Sequence, residues 1–482
     1  MFVRTDPTSA RPPRLALAAT MMAVALALSA CAVGPDYTVP DQDLGVAFQE
    51  QSMPGWTVAQ PADHLPRDAW WKLYDDAILS DLMEKLGSGN QTVVQAEANY
   101  RAAMASLRQA RAAYLPTIGA TADRTRRSTA AGTADANRLQ GDLSWEVDIW
   151  GRVRRSVEAN DAAALSSAAI VANTRLSQQS TLAQTYFQLR IADERQELLR
   201  RTLDTYERSL TLTRNRYEAG LVQRLEVTLA ENQLETARAS LLESQQQRML
   251  LENAIAQLLG LPPSRFELPR VAYQQNVPHI PVGMPSELLQ RRPDVASAER
   301  QVASANAAIG VQQAAWFPSL TLTASGGWNS PSLGDLISIP ARTWYLGASL
   351  AQAVFDGGLR SAAIERARAE FDAQAAHYRQ TVLVALREVE DEMTTSRVQA
   401  ENQEVRLRAL ASAREALRLT RNQYDEGLIN YLDVVQTENS ALNAEQQALV
   451  VFEARLVSSV KLIAALGGGW DVTQLDARKR AP

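Results

Sequence analysis

Residues 152–219 read RVRRSVEANDAAALSSAAIVANTRLSQQSTLAQTYFQLRIADERQELLRRTLDTYERSLTLTRNRYEA, 68 residues without a glycine or a proline. Alanine, leucine, arginine, glutamine and glutamate dominate, and all are good helix formers. At 1.5 Å per residue the run predicts a helix of about 100 Å. An ordinary globular helix has only about 11–12 residues. Leu182, Tyr186 and Leu189, then Leu199, Leu203, Tyr206 and Leu210, keep a 4–3 spacing, the mark of an interrupted coiled-coil seam. Gly220 ends the run, as a residue free to turn left-handed should.

The same object recurs 207 residues later. Leu359 to Glu426 is again 68 residues free of breakers, and Gly427 ends it. Thr213-Arg214-Asn215-Arg216-Tyr217-Glu218-Ala219-Gly220-Leu221 aligns with Thr420-Arg421-Asn422-Gln423-Tyr424-Asp425-Glu426-Gly427-Leu428. Each stop is followed by a 39-residue run, Leu221–Leu259 and Leu428–Leu466, closed by Gly260 and Gly467. Matching lengths and matching residues together identify an internal duplication. The 482 residues therefore form one elongated unit of two halves rather than the three domains length alone suggests. A formal charge of −5 and no dominant basic patch argue against nucleic acid as a partner.

Residues 1–30 read as a signal peptide. Arg4, Arg11 and Arg14 precede an apolar core, Leu15–Ala30, too short for a membrane span. Leu28-Ser29-Ala30-Cys31 matches a bacterial lipoprotein cleavage site, and Cys31 is the only cysteine. Its thiolate would take a diacylglycerol, and the amino group freed by cleavage an N-acyl chain. Several acyl chains anchor firmly where one does not. Ala32, rather than aspartate, favours sorting to the outer membrane. Cleavage leaves −7 on the mature chain, and a lone cysteine allows no intramolecular disulfide.

Residues 116–150 change period. Ile118, Ala120 and Ala122 alternate with polar or small residues, as do Leu143, Trp145, Val147 and Ile149, around a polar stretch, Thr129–Asn137, expected to be a surface loop. This predicts a β-hairpin. Leu320, Leu322 and Ala324, with Ala348, Leu350 and Val354, repeat it, and Gln352 interrupts the apolar face at the place of Val147. Trp145, Trp150, Trp316, Trp328 and Trp344 lie at or near strand ends, which suits aromatic girdles at two membrane interfaces. The predicted organisation is a lipid-anchored segment over 31–76 and repeat one over 77–271, with hairpin 116–150 and helices 152–219 and 221–259. A linker, 272–284, leads to repeat two over 285–470, with hairpin 318–355 and helices 359–426 and 428–466, and a tail, 471–482. The fold class is mainly α with a β-barrel portion. Short helices, Asn90–Ala113 or Asp294–Ala315, stacked on a 39-residue run match one long helix in length. Four strands cannot close a barrel, and open edges are not tolerated in lipid. Two chains supply eight strands and three supply twelve, the latter wide enough for a lumen.

Several stretches resemble the outer-membrane factor family, the TolC-like channels, and within it the NodT/OprM-type efflux lipoproteins. They are Cys31-Ala32-Val33-Gly34-Pro35-Asp36-Tyr37; Trp70-Trp71-Lys72-Leu73; Leu288-Leu289-Gln290-Arg291-Arg292-Pro293-Asp294-Val295, after Ile280-Pro281; Ala315-Trp316-Phe317-Pro318-Ser319-Leu320; and Phe355-Asp356-Gly357-Gly358. The resemblance implies a homotrimer sharing a 12-stranded transmembrane barrel above a coiled-coil periplasmic tunnel. It also implies a periplasmic adaptor (membrane fusion) protein and an inner-membrane pump of the RND type as partners.

On that reading the glycine turns form the periplasmic tip. Adaptor docking is expected at Arg214, Tyr217, Gly220 and Leu221 and at Arg421, Tyr424, Gly427 and Leu428. The resemblance places an aperture gate at Glu226, Asp433, Tyr424 and Ile429, with Glu226 and Tyr424 as partners in a link between helices. Where some relatives carry an aperture arginine and a second aspartate, this chain has Ile429 and Gln436, so Leu225, Leu428 and Ile429 are expected to pack there instead. Cations also favour a helix C-terminus, which accounts for Arg214 and Arg421 without docking. His64, His279 and His377 are scattered, no catalytic motif appears, and no cofactor or metal is expected beyond the lipid on Cys31. The leading reading is a passive exit duct for drugs or other small molecules. A non-conducting lipid-anchored spacer and an exit duct for secreted protein remain alternatives.

Overall fold

The computed structural model describes residues 33–41, 48–49, 69–130, 132–271, 273, 277–278, 280 and 291–470. Cys31, Leu288–Gln290 of the Leu288–Val295 stretch, His64 and His279 fall outside them. The described helices are α1 (Ala77–Gly89), α2 (Gln91–Ala112), α3 (Arg152–Glu218), α4 (Arg224–Leu258), α5 (Pro293–Ala314), α6 (Leu359–Asp425) and α7 (Tyr431–Ala465). The strands are β1 (Thr117–Thr129), β2 (Gly132–Val147), β3 (Ser319–Ser330) and β4 (Arg342–Ala351). The chain divides into two compact units: 1–41, 100–166 and 298–378, and then 42–99, 167–297 and 379–482.

The first unit holds one antiparallel sheet in the order β1-β2-β3-β4. The two hairpins join through β2 and β3, which pairs Leu143 with Ala324 and Trp145 with Leu322. Outward from that seam, Ile118 faces Leu143 and Leu346 faces Ala324, so one apolar rank crosses all four strands. Ranks above and below follow the same parity, while Ser144, Thr323, Asp142 and Ser325 line the other face. The apolar face has no cover among the described residues: Ile118 is 76% exposed, Leu346 72% and Trp344 75%. Among the described residues no strand pairs with the outer edges of β1 and β4.

Two expectations fail here. Thr129 and residues 132–137 are strand, not loop, because β1 runs to Thr129 and pairs it with Gly132. Arg126 faces Asp135 across the hairpin at 3.4 Å, and Thr125, Thr129 and Thr133 suit an extended chain. Apolar alternation could not reveal these strand ends, since polar side chains occupy both faces. Gln352 does not interrupt the sheet either. The register sets Leu350 against Leu320, which faces Val147. Gln352 and Val354 lie beyond β4, and Gln352 donates to the Trp316 carbonyl at 2.9 Å.

The second unit is helical, and its core is aromatic. Trp70 and Tyr74, in a 3₁₀ turn, pack with Leu79, Leu82 and Leu86 of α1 against Leu182, Tyr186 and Phe187 of α3 and Phe452, Leu456 and Val460 of α7. Asp76 caps α1 by accepting from the Ile78 and Leu79 amides, and it also accepts from the Tyr186 hydroxyl at 2.6 Å. Beside this core Arg248 donates to Asp193 at 2.7 Å and to the Leu268 carbonyl at 2.6 Å, while Arg190 donates to the Pro269 carbonyl at 2.8 Å. Two buried arginines thus hold the irregular chain after α4.

Candidate functional site

In the second unit two turns, α3–α4 and α6–α7, have the same construction. Gly220 and Gly427 take φ of 72° and 78°. The Leu221 amide reaches back to the Arg216 carbonyl at 2.8 Å, and the Leu428 amide to the Gln423 carbonyl at 2.9 Å. These are Schellman closures, which require a left-handed residue at that place. Leu221–Gln223 form the turn itself, so α4 begins at Arg224 rather than directly after Gly220. At the second turn Asn430 caps α7 by accepting from the Asp433 amide at 3.3 Å. Leu221 and Leu428 stand 74% and 69% exposed, and both glycines are exposed.

Behind the turns lies a small core of Tyr206, Leu210, Val227, Leu234, Tyr424 and Tyr431, with Ile429 packed at its margin. The Tyr424 and Tyr431 rings lie 5.6 Å apart, and the Arg216 guanidinium sits 4.6 Å above the Tyr424 ring. Tyr431 shares a 3.0 Å hydrogen bond with Ser209, and burial pushes its pKa up to about 12. In repeat one Arg224 holds the place of Tyr431, and its guanidinium lies 5.9 Å from the more exposed Tyr217 ring.

Repeat symmetry extends to the charges. Arg214 bonds Glu231 at 2.7 Å, and 207 residues on Arg421 bonds Glu438 at 2.7 Å. The first pair is exposed. Glu438 is buried and also accepts from Gln233 at 2.9 Å, which ties α4 to α7.

The gate residues part company. Asp433 is exposed, whereas Glu226 is half-buried, with one carboxylate oxygen buried and without a partner. The Tyr424 hydroxyl is also buried without a partner, so no Glu226–Tyr424 hydrogen bond forms within the chain. Burial raises the Glu226 pKa, and the Arg216 charge opposes the rise. Glu438, Gln233, Tyr431 and Arg216 escaped the sequence reading. The equal 17-residue spacing of Arg214–Glu231 and Arg421–Glu438 was the available signal for Glu438.

A second site belongs to the first unit. The Val33 amide donates to the Trp150 carbonyl at 3.1 Å, just past β2. Arg155, almost fully buried, donates to the Val33 and Gly34 carbonyls and to Asp36. Asn306 donates to the Pro35 carbonyl at 2.9 Å, and the Tyr37 hydroxyl to Glu299 at 2.6 Å. Residues 33–37 are thereby strapped to α3 and α5, two residues downstream of Cys31.

The model of the outer membrane efflux protein family matches residues 82–261 and 284–468. The chain is 31% identical to outer membrane protein OprJ of Pseudomonas aeruginosa, over 96% of this chain and 97% of OprJ. It is 30% identical to the toluene efflux pump outer membrane protein TtgC of Pseudomonas putida, over 94% and 95%. Its fold is similar to the outer-membrane channel OprN, with a TM-score of 0.83 at 30% identity over 91% of this chain and 100% of OprN. The open-state MtrE channel of Neisseria gonorrhoeae gives 0.80 at 28% identity, over 91% and 98%.

Proposed function

This chain belongs to the outer membrane efflux protein family, and on that premise we propose that three copies close one barrel and form a passive duct for small organic molecules. The chain is an outer-membrane efflux channel with a tunnel in the periplasm. The observation that carries the trimer is the sheet: among the described residues it has four strands, one apolar face bare of cover, and two outer edges without a strand. An unpaired edge costs several kcal/mol per group in lipid. Twelve strands from three chains remove the edges and leave a lumen.

The remaining assignments follow from this reading. Cys31 carries the lipid anchor. The strap holds Val33 at Trp150, next to the helix-joined end of the apolar band, so two residues of chain, about 7 Å, bring the acyl chains to the inner leaflet. The exposed turns around Gly220 and Gly427, with Arg214, Tyr217, Leu221, Arg421 and Leu428, receive a periplasmic adaptor that links the duct to an inner-membrane pump of the RND type; Tyr424, expected among them, is buried behind the second turn and supports it from within. Glu226, Asp433, Tyr424 and Ile429 form the aperture. The chain carries no reaction of its own.

Native mass measurement and planar-bilayer recording test this together. A trimer with discrete single-channel current is expected. A monomer in lipid would remove the shared barrel, and a trimer without current would favour a spacer.

A further inference from the structure

All four strands join their helices at one end of the sheet, near Val147, Leu320 and Leu350. The helices leave the sheet at that end, so on the closed-barrel reading the opposite end, with the β1–β2 turn and the 331–341 loop, meets the outer leaflet. There the membrane-facing side is not uniformly apolar. Gly141 pairs with Gly326, and Gly326 with Trp344, which leaves a floor of bare backbone beside one indole. A Cβ built on Gly326 would meet nothing within 4 Å. Trp328, Ile337, Ile339 and Trp344 wall a groove of about 460 Å³ over Gly326, beside Gly141, and Arg342 also lines it. Ile339 is 90% exposed, a poor state in water but a natural one in lipid.

Charge completes the pattern. Arg342 faces Trp328, at the outer limit of the apolar ranks. It is exposed and has no ion-pair partner among the described residues. One and two ranks further out on the same face, β1 carries Arg124 and Arg126, opposed only by Asp135, at 4.0 and 3.4 Å. Asp335 lies in the nearby loop. Three strand spacings, on the order of 14 Å, separate β1 from β4 within a chain. Barrel closure brings β4 of one copy beside β1 of the next, so Arg342 approaches Arg124 and Arg126 across the seam. Phosphate is the ligand that exposed, convergent guanidiniums recognise best.

We propose that each seam of the barrel binds a phosphorylated glycolipid of the outer leaflet, with an acyl chain on the Gly141–Gly326 floor and a phosphate on Arg342, Arg124 and Arg126. The inference rests on the closed-barrel reading above. The site is complete only between two copies, and bound lipid would mortar the joint.

The test uses the full-length trimer in nanodiscs of neutral phospholipid, probed by native mass spectrometry with lipid A, dephosphorylated lipid A and phosphatidylglycerol. Lipid A is expected to be retained about tenfold or more over either competitor, since one charge-assisted contact is worth roughly that factor. R124A/R126A/R342A should abolish the preference, and Gly326→Leu should weaken retention of lipid A and its dephosphorylated form alike. Equal retention of all three lipids, or an undiminished preference in the triple variant, overturns the site. Bilayer current separates the two readings: a conducting trimer without lipid preference fails only this proposal, while loss of the trimer fails the barrel.

Discussion

Glu207 and Arg238 form the ion pair that Arg414 and Glu445 form 207 residues later, with the charges exchanged. The oxygen–nitrogen distances are 3.0 and 2.6 Å. Pairing α3 with α7 at this level would set Glu207 against Glu445, and pairing α6 with α4 would set Arg414 against Arg238. Exchanged polarity therefore favours each long helix against its own following helix, a discrimination by repulsion. Both side chains of the first pair are about half exposed, so its worth is small. Glu207→Arg or Arg238→Glu should lower stability only slightly, and the double exchange should recover most of the loss. A thermal double-mutant cycle in detergent measures this. A coupling indistinguishable from zero would deny the pair any part in helix choice.

The second matched pair predicts a larger effect. Arg421 and Gln233 both serve the Glu438 carboxylate, which is 3% exposed. Arg421→Ala leaves a buried charge with one neutral donor. That loss should cost roughly 3 kcal/mol, the low end for breaking a buried pair, because Arg421 is itself 42% exposed. Arg214→Ala frees an accessible Glu231 and should cost far less. Hydrogen exchange across 203–237 and 410–441 distinguishes the two. Equal protection losses would count against burial as the difference.

Much of this architecture was readable from residue order. The two breaker-free runs ending at Gly220 and Gly427 correspond to α3 and α6, because a helix interior rejects glycine and proline whatever surrounds it. Ile118, Leu143 and Ala324 fall on one face because period two is intrinsic to a strand. The outer strand ends around Arg126 and Asp135 were hidden, since above the apolar band no burial pattern is imposed. Gln352 sits at the place of Val147 by sequence position alone, whereas hydrogen-bond register sets Leu350 level with Val147. The buried Glu438 and the strap from Arg155 to Gly34 arise from long-range packing, and no local pattern encodes which carboxylate or carbonyl an arginine reaches.

The half-buried Glu226 predicts a pH response at the tip. Its folded-state pKa is raised above 4.5 by burial, against the opposing Arg216 charge. A raised carboxyl binds its proton more tightly in the fold, so its stabilising contribution is full below about pH 4.5 and is lost as pH rises through the folded value. Glu226→Gln cannot lose it. At pH 4 the variant and the parent should show the same amide protection across 216–234, and at pH 7 the variant should be several-fold better protected. Parity at both pH values would mean that Glu226 is not strained by desolvation. Tyr424→Phe serves as a companion, because the hydroxyl it removes has no partner and protection should hardly change. Tyr424→Ala, by contrast, deletes the ring under Arg216 and beside Tyr431, and should raise leak current.

The strap just after Cys31 gives the last test. Gly34 has φ of 111°, and a Cβ there would stand 2.6 Å from the Gly310 Cα. Substitution therefore meets strain of about 1–3 kcal/mol from the dihedral alone, with a backbone clash added. Gly34→Ala should release residues 33–37 from α3 and α5, although every partner side chain remains. Arg155→Ala should release them by the complementary route, through loss of its bonds to Val33, Gly34 and Asp36. Limited proteolysis followed by mass spectrometry reads the release as faster cleavage within residues 33–41. Gly119→Ala is the control, since an added Cβ there meets nothing within 4 Å, and its cleavage rate should match the parent. With Cys31 intact, both strap variants should stay in the membrane fraction, because on the proposed reading acyl chains on Cys31 and the barrel would each hold the chain there independently. Combined with Cys31→Ser, Gly34→Ala should reduce assembled trimer more than either change alone. Purely additive losses would separate the strap from the anchor.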